Sequence, residues 1–337
     1  MNMHKWANDI LHSPQRLALP IMTHPGIEMI GKNVYDAVTD GEVHAAAILA
    51  LNEKYPAAGC TAIMDLTVEA EAFGAEVVFN DNEIPNIAGR MVHDLREAEA
   101  LRIPDLTAGR IPEYLKANRT VAQKITDKPV FAGAIGPFSL AGRLFDMTEI
   151  MMAIYTEPDT VDLLLSKCSD FILKYLRAIK ETGVSGVVIA EPAAGLLSND
   201  DATRYSTRFI KPIIDELQDE HFLIVLHNCG NTGHCTESMI ASGAGGLHFG
   251  NKIDMKKTLE QIPAHIIVMG NLDPAGIFQL STAGQVAAST RELLEQTAPY
   301  ANFIISTGCD TPPEIPTENI EAFYAEIRAF NRNRGTF

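Results

Sequence analysis

Along the chain, runs of consecutive apolar residues rich in Val and Ile each end at a glycine, a proline or a polar cluster. Residues 129–136, 185–191, 222–230, 245–250, 265–273 and the run from Phe303 are apolar at both parities, the pattern of strands covered on both faces. Residues 17–22 and 60–66 bring the set to eight, and 76–81 reads as an extra strand or hairpin arm. Between them lie helical patterns: 36–54, a short helix through Glu69, Glu71 and Phe73, 146–156, 161–180 after Pro158, a helix to Asp219 capped by Asp200 or Asp201, and a closing helix at 317–331. Eight strands alternating with helices predict an α/β fold, a (β/α)8 TIM barrel in which 1–337 is one domain. The stretch 84–127, punctuated by Pro85, Pro104 and Pro112, reads as N-terminal helical addition to that barrel and not as a second domain.

Barrels of this kind react at the C-terminal ends of their strands. Here those ends carry Asp65, Glu191, His227, Cys229, His248, Asn271, Asp273 and Cys309. His227 and Cys229 are two apart on a strand and share a face. With Cys309 from another strand they make a three-ligand zinc site that leaves one position open, as catalytic zinc is held. The plainer reading is that free cysteines are small buried hydrophobes. Two thiolates and a neutral imidazole cancel the charge of the dication, and a thiol entering the fourth position would lose its proton and become a nucleophile. This donor set suits alkyl transfer better than hydrolysis, where His and carboxylate ligands keep zinc a stronger Lewis acid.

The other rim residues each carry two readings. Glu191 closes the vacant metal position at rest, or is held by backbone amides. Asp65 orients a substrate or relays a proton, or caps the following turn. His248 lines the mouth and touches substrate, or is a packed core histidine. Asn271 and Asp273, before Pro274, contact substrate or cap a loop. His234 and Cys235 face away from the His227 pair, and Cys60 and Cys168 lie in apolar surroundings that read as structural. The Gly136-Pro137-Phe138 loop before Arg143 is either an anion site or a simple turn.

Charge and composition narrow the classes. With 27 Lys and Arg against 43 Asp and Glu, the net charge of −16 repels phosphate backbones and anionic lipid, so nucleic-acid and membrane-surface partners are not expected. No apolar run approaches the ~20 residues that span a bilayer, and residues 1–8 hold no hydrophobic signal region. Five cysteines, an odd number, argue for metal, catalysis or burial in a reducing compartment, and the expected location is cytoplasmic.

The motifs Met64-Asp65, Glu69-Ala70-Glu71-Ala72-Phe73-Gly74, Gly136-Pro137-Phe138, His227-Asn228-Cys229-Gly230, Gly270-Asn271-Leu272-Asp273-Pro274 and Thr307-Gly308-Cys309, with Pro312, Glu314, Pro316, Glu318 and Asn319, are together familiar. Across nearly its full length the chain resembles the uroporphyrinogen decarboxylase superfamily. Its His-x-Cys and distant Cys are similar to those of the methylcobalamin:coenzyme M methyltransferase branch. The resemblance implies a barrel, one zinc on His227, Cys229 and Cys309, and methyl transfer between a corrinoid (cobalamin) protein docked over the mouth and a small-molecule thiol. The reverse transfer, demethylating a methoxylated or methylated substrate onto the corrinoid protein, uses the same site. The decarboxylase branch carries paired arginines in its N-terminal segment, whereas residues 20–26 here hold none, although Asp65 aligns with that branch's catalytic aspartate. A non-catalytic zinc-stabilised scaffold is the alternative from another class.

Overall fold

The computed structural model describes residues 1–334. Strand β1 (Cys60–Thr61) is followed by an antiparallel hairpin, β2 (Glu76–Val78) with β3 (Asn86–Ala88), that stands apart from the main sheet. Then come β4 (Val130–Ile135), β5 (Gly186–Ala190), β6 (Leu223–Asn228), β7 (Gly246–Phe249), β8 (Ile267–Leu272) and β9 (Phe303–Thr307). With β1 they form one seven-stranded sheet in the order β1-β4-β5-β6-β7-β8-β9, every neighbouring pair parallel. Helices cross between successive strands, as parallel pairing requires.

The sheet is curled, and its two faces bury different sets of side chains. Phe131, Val188, Val225, Ile267, Met269 and Ile304 pack together on the inner face. Residues of opposite parity, such as Ile224, Leu226, Leu247, Val268 and Ile305, pack against the helices. Covering on both faces is why the strands read as continuous apolar runs. The first helix, Met3–Leu11, adds Met3 and Ile10 to the inner cluster. Met3 N donates to Glu220 O just before β6, so this helix closes the N-terminal end of the strands. The C-terminal end is left for chemistry.

Two of the eight expected strands are shorter than their apolar runs. In 17–22 one residue, Ala18, forms a parallel bridge, with Ile305 of β9. Leu19 N donates to Ile305 O and Ile305 N to Leu17 O, while Ala58 N donates to Ala18 O, so this segment lies between the two ends of the sheet. In 60–66 pairing stops early because backbone groups turn to side chains: Ile63 N donates to His44 Nε2 (3.1 Å) and Thr67 N to Asp65 Oδ1 (2.9 Å). The expected 36–54 helix is two, Val34–Thr39 and Gly41–Lys54, because Asp40 takes an extended conformation and its carboxylate accepts from Glu42 N. Ser198, not Asp200 or Asp201, caps the helix after β5; its hydroxyl accepts from Asp201 N. The expected addition at 84–127 consists of β3 and the helices Leu95–Ala100 and Ile111–Lys124.

Candidate metal centre

On β6 the inward parity runs Leu223, Val225, His227, and the chain keeps that alternation to Cys229 just past the strand end. Cys309 follows β9 by two residues and Gly308, whose amide donates to Leu272 O at the end of β8. A side chain at Gly308 would run into the Asn251 backbone, so glycine lets this loop approach closely enough to bring Cys309 inward. The outcome is one cluster: ligand atoms of His227, Cys229 and Cys309 lie within 4.8 Å of one another, and among the described residues no other group of His, Cys, Asp and Glu converges this way. The three line a cavity of about 70 Å³ together with Asp310, and its walls, including Met64 and Leu66, are otherwise largely apolar.

The electrostatics of the two thiols are coupled. The Cys309 side chain hydrogen-bonds Cys229 and brings that thiol down to about 7, against the opposing effect of burial. Cys309, giving up nothing itself, is pushed upward by the Cys229 sulfur and by burial. The hydrogen bond between them thus favours ionisation of Cys229 over that of Cys309. Cys235, by contrast, is fully buried and hydrogen-bonds the carbonyls of Ala194 and Leu197, and burial pushes its thiol up to about 11. His234 bonds Leu197 O and Thr232. Cys168 sits in the core, and Cys60 beside Asn52 is pushed up to about 11 by burial.

His227 is 2% exposed. Its Nδ1 lies 2.7 Å from His248 Nδ1, and His248 Nε2 lies 2.9 Å from Ser306 Oγ. The parallel register sets His227 beside His248, which is why the two rings meet. Burial and the neighbouring His227 hold His248 well below the usual imidazole range. His227 Nε2 is buried with no partner in the protein. A ring whose one nitrogen is fixed and whose other is buried and vacant beside two cysteine sulfurs has the form of a metal ligand.

The remaining rim residues are used within the fold. His248, expected to touch substrate, has both ring nitrogens engaged and is 1% exposed, so it has no polar atom left for one. Glu191, expected to close the metal position, accepts from Phe138 N and Ser139 N (both 2.8 Å) and from Ser206 Oγ (3.1 Å). It thereby fills the amides of the Gly136-Pro137-Phe138 turn, so the anion of that loop is the protein's own carboxylate. Asp65, expected to act on substrate, accepts from Thr67 through Oδ1 and from Arg110 and Tyr114 through Oδ2. Asn271 donates to the carbonyls of Gly250 and Ile253, tying down the loop after β7. Asp273 caps the turn at Ala275 and Gly276, the loop-capping role that a residue before Pro274 favours.

Several residues have roles that sequence reasoning missed. Arg110 gathers Asp65, Glu71, Thr67 and Val38 O into one buried network. Glu69 is buried; Oε1 accepts from Ile135 N and Oε2 has no partner. Burial pushes its carboxyl up to about 7. A raised native pKa means that this group favours the fold below its unfolded value of about 4.3 and progressively less as pH climbs through 7. Glu69→Gln keeps the acceptor for Ile135 N and removes the charge. Melting curves from pH 5 to 8 should therefore show the wild type losing stability relative to Glu69→Gln as pH rises; parallel curves would place the Glu69 proton elsewhere.

The model of the family described as "Uroporphyrinogen decarboxylase (URO-D)" matches residues 14–330. A methylcobamide:CoM methyltransferase MtbA of Methanosarcina acetivorans is 28% identical over 261 residues, covering 76% of this chain and 75% of that protein. The uroporphyrinogen decarboxylase of Sodalis glossinidius is 22% identical over 290 residues, 83% of this chain and 81% of that one. Among solved structures, a methyltransferase from Methanosarcina mazei superposes with a TM-score of 0.87 at 24% identity, covering 98% of this chain and 99% of that one. No helix among the described residues is long and apolar enough to cross a membrane.

Proposed function

The chain belongs to the uroporphyrinogen decarboxylase family, and from that premise we propose that it is a methyltransferase moving a methyl group between a corrinoid protein and a small-molecule thiol. The observation that carries this reading is the convergence of His227, Cys229 and Cys309 at the end of the strands, with the vacant His227 Nε2 among them. We assign zinc to these three residues. The donor set fits: two sulfurs, one of them ready to ionise near neutrality, and one buried imidazole nitrogen without a partner. Zinc held by these residues would supply a lowered pKa to an entering thiol and so a thiolate nucleophile at neutral pH. The three side chains would hold the ion, and the otherwise largely apolar walls of the cavity would limit water around it.

His248 is a positioning residue in this reading. For His227 to present the Nε2 lone pair, its proton must sit on Nδ1 and be donated to His248 Nδ1. His248 then carries its own proton on Nε2 and donates it to Ser306 Oγ. Orienting partners of this kind typically contribute ~10–100-fold to metal affinity. His248→Phe, which fills the space without the acceptor, should weaken zinc binding by about that factor in a chelator competition. Unchanged affinity would remove His248 from the site.

We read the fold as a closed eight-stranded (β/α)8 barrel of one domain, 1–337, with residues 17–19 as the closing strand. Support comes from the backbone bonds of that segment to Ile305 on one side and Ala58 on the other. Asp65 and Glu191 belong to the scaffold here and not to the chemistry. This weakens the decarboxylase alternative, since both Asp65 oxygens are committed to Thr67, Arg110 and Tyr114. Demethylation of a methylated substrate onto the corrinoid protein remains the reverse of the same reaction. A cytoplasmic setting suits free cysteines that must stay reduced.

The deciding experiment is metal analysis of wild type and Cys229→Ser, with zinc X-ray absorption in the presence and absence of thiols. About one zinc per chain, depleted in the variant and gaining a sulfur neighbour near ~2.3 Å when a thiol is added, is the expected result. Zinc that gains no sulfur would end the thiol-acceptor reading.

A further inference from the structure

The three candidate ligands come from strands that are not neighbours. His227 lies on β6 with Cys229 just past its end, Cys309 follows β9, and β7 and β8 stand between them in the sheet. The short turn after β7, residues 250–253, reaches both. Parallel pairing sets Asn228 beside Phe249, so Gly250 comes next to Cys229. A Cβ placed on Gly250 would stand 2.7 Å from both Cα and O of Cys229, an approach that a bare glycine backbone permits. On the other side, a Cβ placed on Gly308 would stand 2.6 Å from Asn251 N. One turn therefore touches the backbone of both cysteine loops, at Cys229 itself and at the residue before Cys309.

Contact alone does not fix a turn whose Asn251 and Lys252 are exposed. Within it, Ile253 N donates to Gly250 O at 3.4 Å, a long bond. The stronger hold comes from the Asn271 side chain on the neighbouring strand β8. Its amide nitrogen carries two hydrogens and donates to Gly250 O (3.0 Å) and Ile253 O (2.8 Å), the two ends of the turn. The next residue of β8, Leu272, accepts from Gly308 N (2.6 Å). Adjacent residues of one strand thus hold the turn and the Cys309 loop.

We propose that Asn271 is a positioning residue of the metal centre, and that the turn it pins is the spacer setting the separation of the Cys229 and Cys309 sulfurs. The inference rests on the metal assignment above and adds a residue that touches neither metal nor substrate. A metal binds most tightly where its ligands already stand at their bonding separation, because no binding free energy then goes into moving the chain. With the turn loose, the two cysteine loops can move apart although both thiols remain. Asn302 supplies the comparison. Its amide donates to Ile266 O (2.8 Å), joining the segments just before β9 and β8, at the end of the sheet away from the cysteines.

The test compares full-length wild type, Asn271→Ala and Asn302→Ala by chelator competition for zinc and by the thiolate charge-transfer absorbance of bound Co(II). Urea denaturation of the metal-free proteins runs alongside. Both variants should lose stability. Only Asn271→Ala should bind zinc more weakly, by ~10–100-fold, the range typical of residues that orient a ligand without binding the metal. It alone should lose charge-transfer absorbance per bound cobalt. Wild-type zinc affinity in Asn271→Ala, or an equal loss in both variants, overturns the proposal. Hydrogen exchange on the wild type needs no variant to fold: zinc loading should slow the amides of residues 250–253, and an unchanged rate there overturns it too. A wild type that takes up no zinc would bring down the metal assignment itself, and this inference with it.

Discussion

Cys309→Ala should yield a folded protein that has lost both its metal and its methyl transfer. In the proposed centre the residue is one of three ligands, and it also makes the hydrogen bond that brings Cys229 down to about 7, so its removal would strike the site twice. Loss of an orienting partner costs ~10–100-fold in metal affinity, and loss of a ligand itself should exceed the upper end of that range. Little stability is at stake, because Cys309 lies in a loop past β9 and is only partly buried. Metal analysis after dialysis, circular dichroism and methyl transfer from free methylcobalamin to 2-mercaptoethanol separate these effects. Metal, activity and fold lost together would make the centre structural, with unfolding driven by metal loss. Full activity in Cys309→Ala would end the zinc mechanism.

Asp65→Ala should be the most destabilising of the substitutions considered, by about 3–5 kcal/mol, the cost of leaving a buried charge without its partner. The Asp65 side chain has no exposure and that of Arg110 is 8% exposed. Deleting the carboxylate leaves a desolvated guanidinium and frees the Thr67 amide and hydroxyl and the Tyr114 hydroxyl at once. Burial and the Asp65 charge already push the Tyr114 hydroxyl well up, as expected for a phenol locked into such a network. Urea denaturation at constant m-value measures the loss. The surviving folded protein should keep the metal binding proposed above, because Asp65 is not among the residues lining the cavity. A variant of wild-type stability with a lost kcat would instead return Asp65 to the chemistry.

Much of this molecule is legible in the chain itself. Strands β4 to β9 each fall within an apolar run, because a strand covered on both faces must be apolar at both parities. The pairing of His227 with Cys229 follows from the two-residue period of a strand. Less legible were the places where a side chain takes over a backbone bond. His44 and Asp65 end β1 by accepting from Ile63 N and Thr67 N, and no periodicity carries that information.

The roles of the rim residues show the same division. That polar groups gather at the C-terminal ends of the strands is a property of the sequence order alone. Whether each one faces a substrate or the protein depends on neighbours far away in the chain. Glu191 is spent on amides more than fifty residues before it, and His248 on Ser306, 58 residues after it. The turn against both cysteine loops is tied to Asn271, 21 residues after Gly250, and that tie has no short-range signature. Sequence by itself determined the parallel α/β architecture and the placement of His227 and Cys229 on one face of a strand, because both rest on local spacing and residue chemistry. Tertiary structure alone decided which carboxylates and imidazoles are already satisfied and which polar atoms remain for a ligand, because hydrogen bonding is settled by proximity in space.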